Sequence, residues 1–212
     1  SMSTDETWRQ LEALDDDALA DAAFDVLEAT LPHAARADAD AQRTLRRLAR
    51  VANARELTLA LLAELATAHT AHRPHALAML ATVLPRLERR RAEVASSCLA
   101  SLAKMFLEDD DDGDDADADD AVERLPGSNR SILSLVSDCG AALAAQAPAS
   151  SERPEERAAV LAFCFHCLEA ASRRGDAEAT SQTLSALARL EPTLRECVDA
   201  PSARGALYAH AA

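Results

Sequence analysis

Apolar side chains recur along this chain at the pitch of an α-helix from one end to the other. Leu77, Leu80, Leu84 and Leu87 fall at i, i+3, i+7 and i+10; Ile132, Leu135, Val136, Cys139 and Leu143 fall at i, i+3, i+4, i+7 and i+11. Such spacings line one stripe of a helix, whereas a half-buried strand needs alternation with period two. No segment alternates for long enough to make a strand. The expectation is an all-α protein, either a closed bundle or stacked helical pairs, and both architectures offer surface rather than reactive chemistry.

Caps and breakers divide the pattern. A short helix is expected over 5–14, with Trp8 and Leu11 inward. A second follows over 17–31, capped by Asp17, striped by Phe24, Leu27 and Leu31, and ended by Pro32. The third spans 39–51, and Asn53 with Glu56 three residues later forms a capping box for the next. Pro74 sits in the first turn of a fifth helix that runs to about Arg89, and a sixth covers 92–107 with Val94, Cys98, Leu102 and Met105. Ser128 is the expected cap of a helix reaching Gln146, Pro154 opens another, and Gly175-Asp176 restarts the chain for one that Pro192 breaks. Helices of this length joined by short turns favour antiparallel neighbours. The expected fold is a HEAT-like helical-repeat array, an α-solenoid of about nine to eleven helices, with no strict sequence period. Residues 1–107 would form its first part, 108–127 an acidic disordered loop, and 128–212 the continuation of the same array.

With 212 residues the chain can bury a core without disulfides or metal, and that core is aliphatic because aromatics are only 3% of residues. The net charge of −14 argues against nucleic acid, whose phosphates it would repel. Ten acids fall within the thirteen residues 108–120, and removing them from the total leaves −4, so the acidity belongs mainly to one loop. Five cysteines, most on apolar helix faces, fit small buried thiols in a reducing compartment. No secretory or membrane-spanning run is visible. The expected location is the cytoplasm, with the nucleus also open.

Motifs that carry chemistry are sparse. Cys164 and Cys167 share a helix face at a spacing that could hold zinc, but a structural site needs four ligands and no second pair exists. His69, His72 and His75 recur every third residue, yet Pro74 interrupts any single helical face. Walker, G-x-S-x-G and dinucleotide-binding signatures are missing, and the five glycines leave little backbone for a phosphate cradle. The expectation is a protein that is not an enzyme and takes no cofactor or metal.

Arginines carry more information. Arg43, Arg46, Arg47 and Arg50 fall at i, i+3, i+4 and i+7, opposite Leu45 and Leu48. Like charges at i, i+4 destabilise a helix by roughly 0.2–0.5 kcal/mol per pair, a cost that both Arg43/Arg47 and Arg46/Arg50 incur. A second group, Arg86, Arg89, Arg90 and Arg91, ends the fifth helix, where cations favour the dipole. These arginines are either a solvated face or a ridge that meets an acidic partner. The acidic run, with Asp109, Asp110, Asp111 and Asp112 at its head, could fold back on that ridge as an electrostatic lid. It could instead make the chain an acidic adaptor that captures basic proteins by salt-sensitive attraction.

Two stretches carry a family resemblance: ANARELTLALLAEL over 52–65 and RAAVLAFCFHCL over 157–168. In this order, with a helix pair near 75–107, a polar insertion and a Cys139-containing helix between them, they resemble the N-terminal part of the glomulin family and its plant relatives, the aberrant-root-formation proteins. The resemblance implies HEAT-like repeats and a non-catalytic regulator that inhibits cullin–RING ubiquitin ligases. In that family the grip on the RING subunit lies in C-terminal repeats of a much longer chain. The resemblance therefore assigns no RING-contacting residue to any position here, and its ligase partners would be met through regions outside this segment.

Overall fold

A computed structural model describes residues 4–66, 70–87, 102, 124–146, 154–192, 194 and 195. Among them the chain is all-helical, with nine α-helices and no strand. It divides into two compact units: one holds residues up to Leu87 together with Arg124–Asn129, the other Leu102 and the residues from Arg130 onward. The expected sixth helix falls outside the described residues except for Leu102, which is helical and buried.

The first unit contains α1 (Thr4–Ala13), α2 (Asp16–Asp21), α3 (Ala23–Ala34), α4 (Ala39–Val51), α5 (Ala54–Leu65) and α6 (Arg73–Val83), with 3-10 turns at Thr70–His72 and Leu84–Arg86. Its core is aliphatic: Leu27, Leu31, Leu45, Leu48, Leu57, Leu61, Leu77 and Leu80 are all buried. Helix α3 packs on α4 and α5 on α6, while α4 also meets α6 and α3 meets α5. That is two helical pairs in two layers, with α3 and α5 in one and α4 and α6 in the other.

Local chemistry sets the boundaries. Asp15, rather than Asp17, caps α2, its carboxylate accepting from Ala18 N at 2.8 Å. The expected 17–31 helix breaks at Ala22, and Pro32 does not end the second half, because α3 continues to Ala34. Proline removes one helical donor, but so close to the C-terminus the chain still completes its last turn. Phe24 points outward and is 54% exposed, since a stripe centred on Ala23, Val26, Leu27 and Leu31 leaves it about a quarter-turn off axis. Leu11 is half-buried, and the Trp8 side chain lies outside the described residues. Asn53 Oδ1 accepts from Glu56 N at 3.1 Å as the capping motif anticipates, and Pro74 lies in the first turn of α6.

Two helix ends use the same closure. After α3, Asp38 N donates to His33 O and Ala37 N to Ala34 O, with Ala37 at φ +64°. Beyond the long helix of the second unit, Asp176 N donates to Ala171 O and Gly175 N to Ser172 O, with Gly175 at φ +64°. Both are Schellman turns, in which a left-handed residue returns two N–H groups to the last carbonyls.

The second unit contains α7 (Ile132–Gln146), α8 (Pro154–Arg174) and α9 (Ala177–Arg189), with each helix packed on the other two. Ser131, not Ser128, caps α7: its hydroxyl accepts from Ser134 N at 2.9 Å and donates to Asp176 Oδ2. Asp176 in turn caps α9, accepting from Ala179 N at 2.9 Å, so the two caps are joined. Further along, Ser134 donates to Gln182 Oε1 at 3.1 Å, and the Thr183 hydroxyl lies 3.1 Å from Ser137 Oγ. These pairs rise together in both helices, so α7 and α9 run parallel and their register is pinned at three points. Gly140 lets α8 approach: a Cβ there would stand 3.0 Å from the Phe163 ring. Helix α9 ends at Arg189, and helical residues resume at 191, 192, 194 and 195, with Arg195 paired to Glu191.

Candidate functional site

The four arginines of α4 do not share one environment. At about 100° per residue, Arg43 and Arg47 form one edge of the stripe and Arg46 and Arg50 the other. Arg43 Nη1 reaches Glu12 at 2.8 Å and Asp40 at 3.0 Å. Arg47 pairs with Asp16 at 2.9 Å and donates to the Leu14 carbonyl at 2.6 Å. These contacts tie α4 to the turn between α1 and α2, and they offset the repulsion between Arg43 and Arg47. Among the described residues Arg46 and Arg50 are exposed and take no hydrogen bond or ion pair. Among the described residues no acid offsets their mutual repulsion at i, i+4.

Arg86, expected to serve its own helix end, instead closes another. Its guanidinium donates to Ala49 O at 2.8 Å and Ala52 O at 2.7 Å, capping the C-terminus of α4 with a positive charge. The two carbonyls lie 37 and 34 positions away in sequence, and no local pattern announces such a contact. At the other end of α4, Gln42 Nε2 donates to Pro126 O at 3.2 Å, seating the Arg124–Asn129 turn on the helix. Arg89, Arg90 and Arg91, and Asp109, Asp110, Asp111 and Asp112, lie outside the described residues.

Cys164 and Cys167 are both buried, and burial pushes the Cys164 thiol up to about 12. Cys167 is also raised by burial and by Cys164, against a lowering hydrogen bond from Ser137. A thiol held in its protonated form is a poor nucleophile and a poor metal ligand, so these two pack as small apolar groups. His75 is buried on α6, and burial lowers its pKa against the raising effect of its hydrogen bond to the Ala34 carbonyl, with His72 lowering it further. His72 Nδ1 lies 3.5 Å from Glu64 Oε2, and His69 lies outside the described residues. No cluster of three or more His, Cys, Asp or Glu side chains suited to a metal ion occurs among the described residues.

Among the described residues four large apolar side chains are exposed: Phe24 on α3, which the periodicity places on the inward stripe, and Leu59 on α5, Phe165 on α8 and Leu184 on α9. No described helix is long and apolar enough to cross a membrane. No family model, curated protein or solved structure matches the chain.

Proposed function

We propose that this protein is a non-catalytic interaction scaffold, built as a HEAT-like helical-repeat array, that binds an acidic segment of a partner protein through the Arg46–Arg50 edge of α4. The observation that carries this reading is the contrast along one helix. Arg43 and Arg47 are held by Glu12, Asp40 and Asp16, while Arg46 and Arg50 repel each other, exposed and unpaired among the described residues. An acidic partner relieves that repulsion, and both guanidinium groups can grip carboxylates bidentately. The layering of α3 with α5 and of α4 with α6 supports the array, because stacked helical pairs place alternate helices in contact.

Within that reading, the likeness of 52–65 and 157–168 to the glomulin family supports a regulator of cullin–RING ubiquitin ligases, working in the cytoplasm or nucleus. Affinity purification from cells separates these levels. The wild-type chain is expected to recover proteins through acidic segments, and Arg46→Glu/Arg50→Glu to lose them. Recovery of a cullin and its RING subunit, expressed with the full-length reading frame, supports the ligase assignment. Recovery of basic proteins that depends on residues 108–120 would replace both with the adaptor role.

A further inference from the structure

The acids that hold Arg43 and Arg47 belong to a segment whose composition is unlike its surroundings. Residues 4–17 carry six acids against the single Arg9, a net −5, and α4 carries four arginines against Asp40, a net +3. Helix α1 finds its principal neighbour in α4. None of the described α1 side chains is buried, and Leu11 is only half-buried. Among the described side chains, polar contacts join the segment to α4: Glu12 to Arg43, Asp16 to Arg47, and the Leu14 carbonyl to Arg47. Arg43 and Glu12 are 61% and 49% exposed, and exposed ion pairs of this kind contribute little each and weaken in salt. The segment is thus an acidic chain whose described contacts with one edge of a basic helix are ones that water and salt compete with.

Resting on the proposed role of α4, we infer that segment 4–17 is an intramolecular stand-in for the partner, occupying the Arg43–Arg47 edge until an external acidic segment displaces it. The four arginines span about 10 Å along the helix, two turns. An external acidic segment that engages only Arg46 and Arg50 uses half of that length. One that takes the whole stripe must compete with Glu12 for Arg43 and with Asp16 for Arg47. Helix α2 keeps its own anchor, the fully buried Leu19, so α1 can leave without unpacking the unit. Binding of an acidic partner and undocking of α1 are therefore coupled, and each favours the other.

The test uses the full-length chain and poly-L-glutamate as the probe, followed by fluorescence anisotropy at low salt. Glu12→Gln/Asp16→Asn removes the internal competitor with little change of shape. Asp25→Asn/Glu28→Gln makes the same change of net charge at exposed positions of α3. Far-ultraviolet circular dichroism checks that both variants keep the wild-type helix content. The Glu12/Asp16 variant is expected to bind roughly fivefold tighter than wild type, the factor that two exposed ion pairs supply, and the α3 variant less than twofold tighter. In the wild type, the probe is expected to speed amide exchange over 4–13. Equal affinity of wild type and the Glu12/Asp16 variant would overturn the inference and leave the proposed role of α4 standing. Equal tightening by the α3 variant would also overturn it, because net charge alone would then account for the gain. Binding by neither wild type nor the Glu12/Asp16 variant would overturn both.

Discussion

The two Schellman turns differ at one residue, and that difference has a sign and a size. Ala37 and Gly175 both close a helix at φ +64°. A side chain with a Cβ in the left-handed region costs roughly 1–2 kcal/mol, and glycine escapes that cost. Glycine also frees the unfolded chain, which takes back about 0.4–1 kcal/mol. Ala37 is exposed, so its methyl group contributes no packing that glycine would forfeit. Ala37→Gly is therefore expected to stabilise the first unit by about 0.5–1 kcal/mol. At Gly175 a new Cβ would meet nothing within 4 Å, so Gly175→Ala tests the backbone penalty with no steric contribution. It is expected to destabilise the second unit by a similar amount. Urea unfolding followed by circular dichroism at 222 nm reads both, as shifts of midpoint at constant slope. If Ala37→Gly destabilises instead, as alanine-to-glycine does in a regular helix, the left-handed closure assigned to α3 is wrong.

Other outcomes follow from the same contacts. Arg86→Met is expected to cost about 2 kcal/mol, because two charge-assisted hydrogen bonds to the end of α4 are lost from a partly exposed site; thermal melts of the variant, against Arg50→Met as a control without such bonds, check this. Burial lowers the pKa of His75 in the fold, so the unfolded chain takes up the proton first as pH falls. The stability His75 contributes is whole above the unfolded value of about 6.5 and is lost as pH drops through the lower folded value. Urea midpoints at pH 7.5 and 5.5 should show a smaller fall in His75→Gln than in wild type, and equal falls would exclude the assignment. Cys164 and Cys167, buried and protonated, should resist Ellman's reagent in native buffer and react only at the rate of unfolding; prompt labelling of either would contradict the packing of α8.

Much of the helical order is visible in the sequence because its causes are local. Asn53 with Glu56 and Pro74 each act within a turn and appear as the pattern indicates. Leu77, Leu80, Leu84 and Leu87 are all buried, although the α-helix expected to reach Arg89 stops at Val83 and Leu84–Arg86 tightens into a 3-10 turn around Pro85. The caps that shift do so among equivalent candidates. Asp15, Asp16 and Asp17 stand in a row, and Ser128 and Ser131 have the same chemistry, so tertiary packing selects among them. The buried Leu19 of α2 and the Ser131–Asp176 link between caps are the packing facts that decide. Phe24 shows the converse, a residue on the margin of an apolar stripe whose exposure depends on where the helix restarts.

The candidate site was legible only in half. The sequence shows four arginines at helical spacing and the repulsion they incur. It does not show that Glu12 and Asp16, 31 residues upstream in each pair, offset that repulsion on one edge alone. Nor does it show that Arg86 reaches across to α4. Contacts between distant segments carry no local signature, and it is these contacts that separate structural arginines from available ones.

The most direct test of the interaction role reads the arginines themselves. In a nitrogen-15 labelled sample of the full-length chain, each side-chain Nε–H gives its own resonance, assignable through Arg→Lys variants. Titration with poly-L-glutamate is expected to shift Arg46 and Arg50 first and to leave Arg86 in place on its α4 carbonyls. Unchanged Arg46 and Arg50 resonances at saturating probe, or shifts confined to arginines elsewhere, would contradict the assignment of α4 as the binding face.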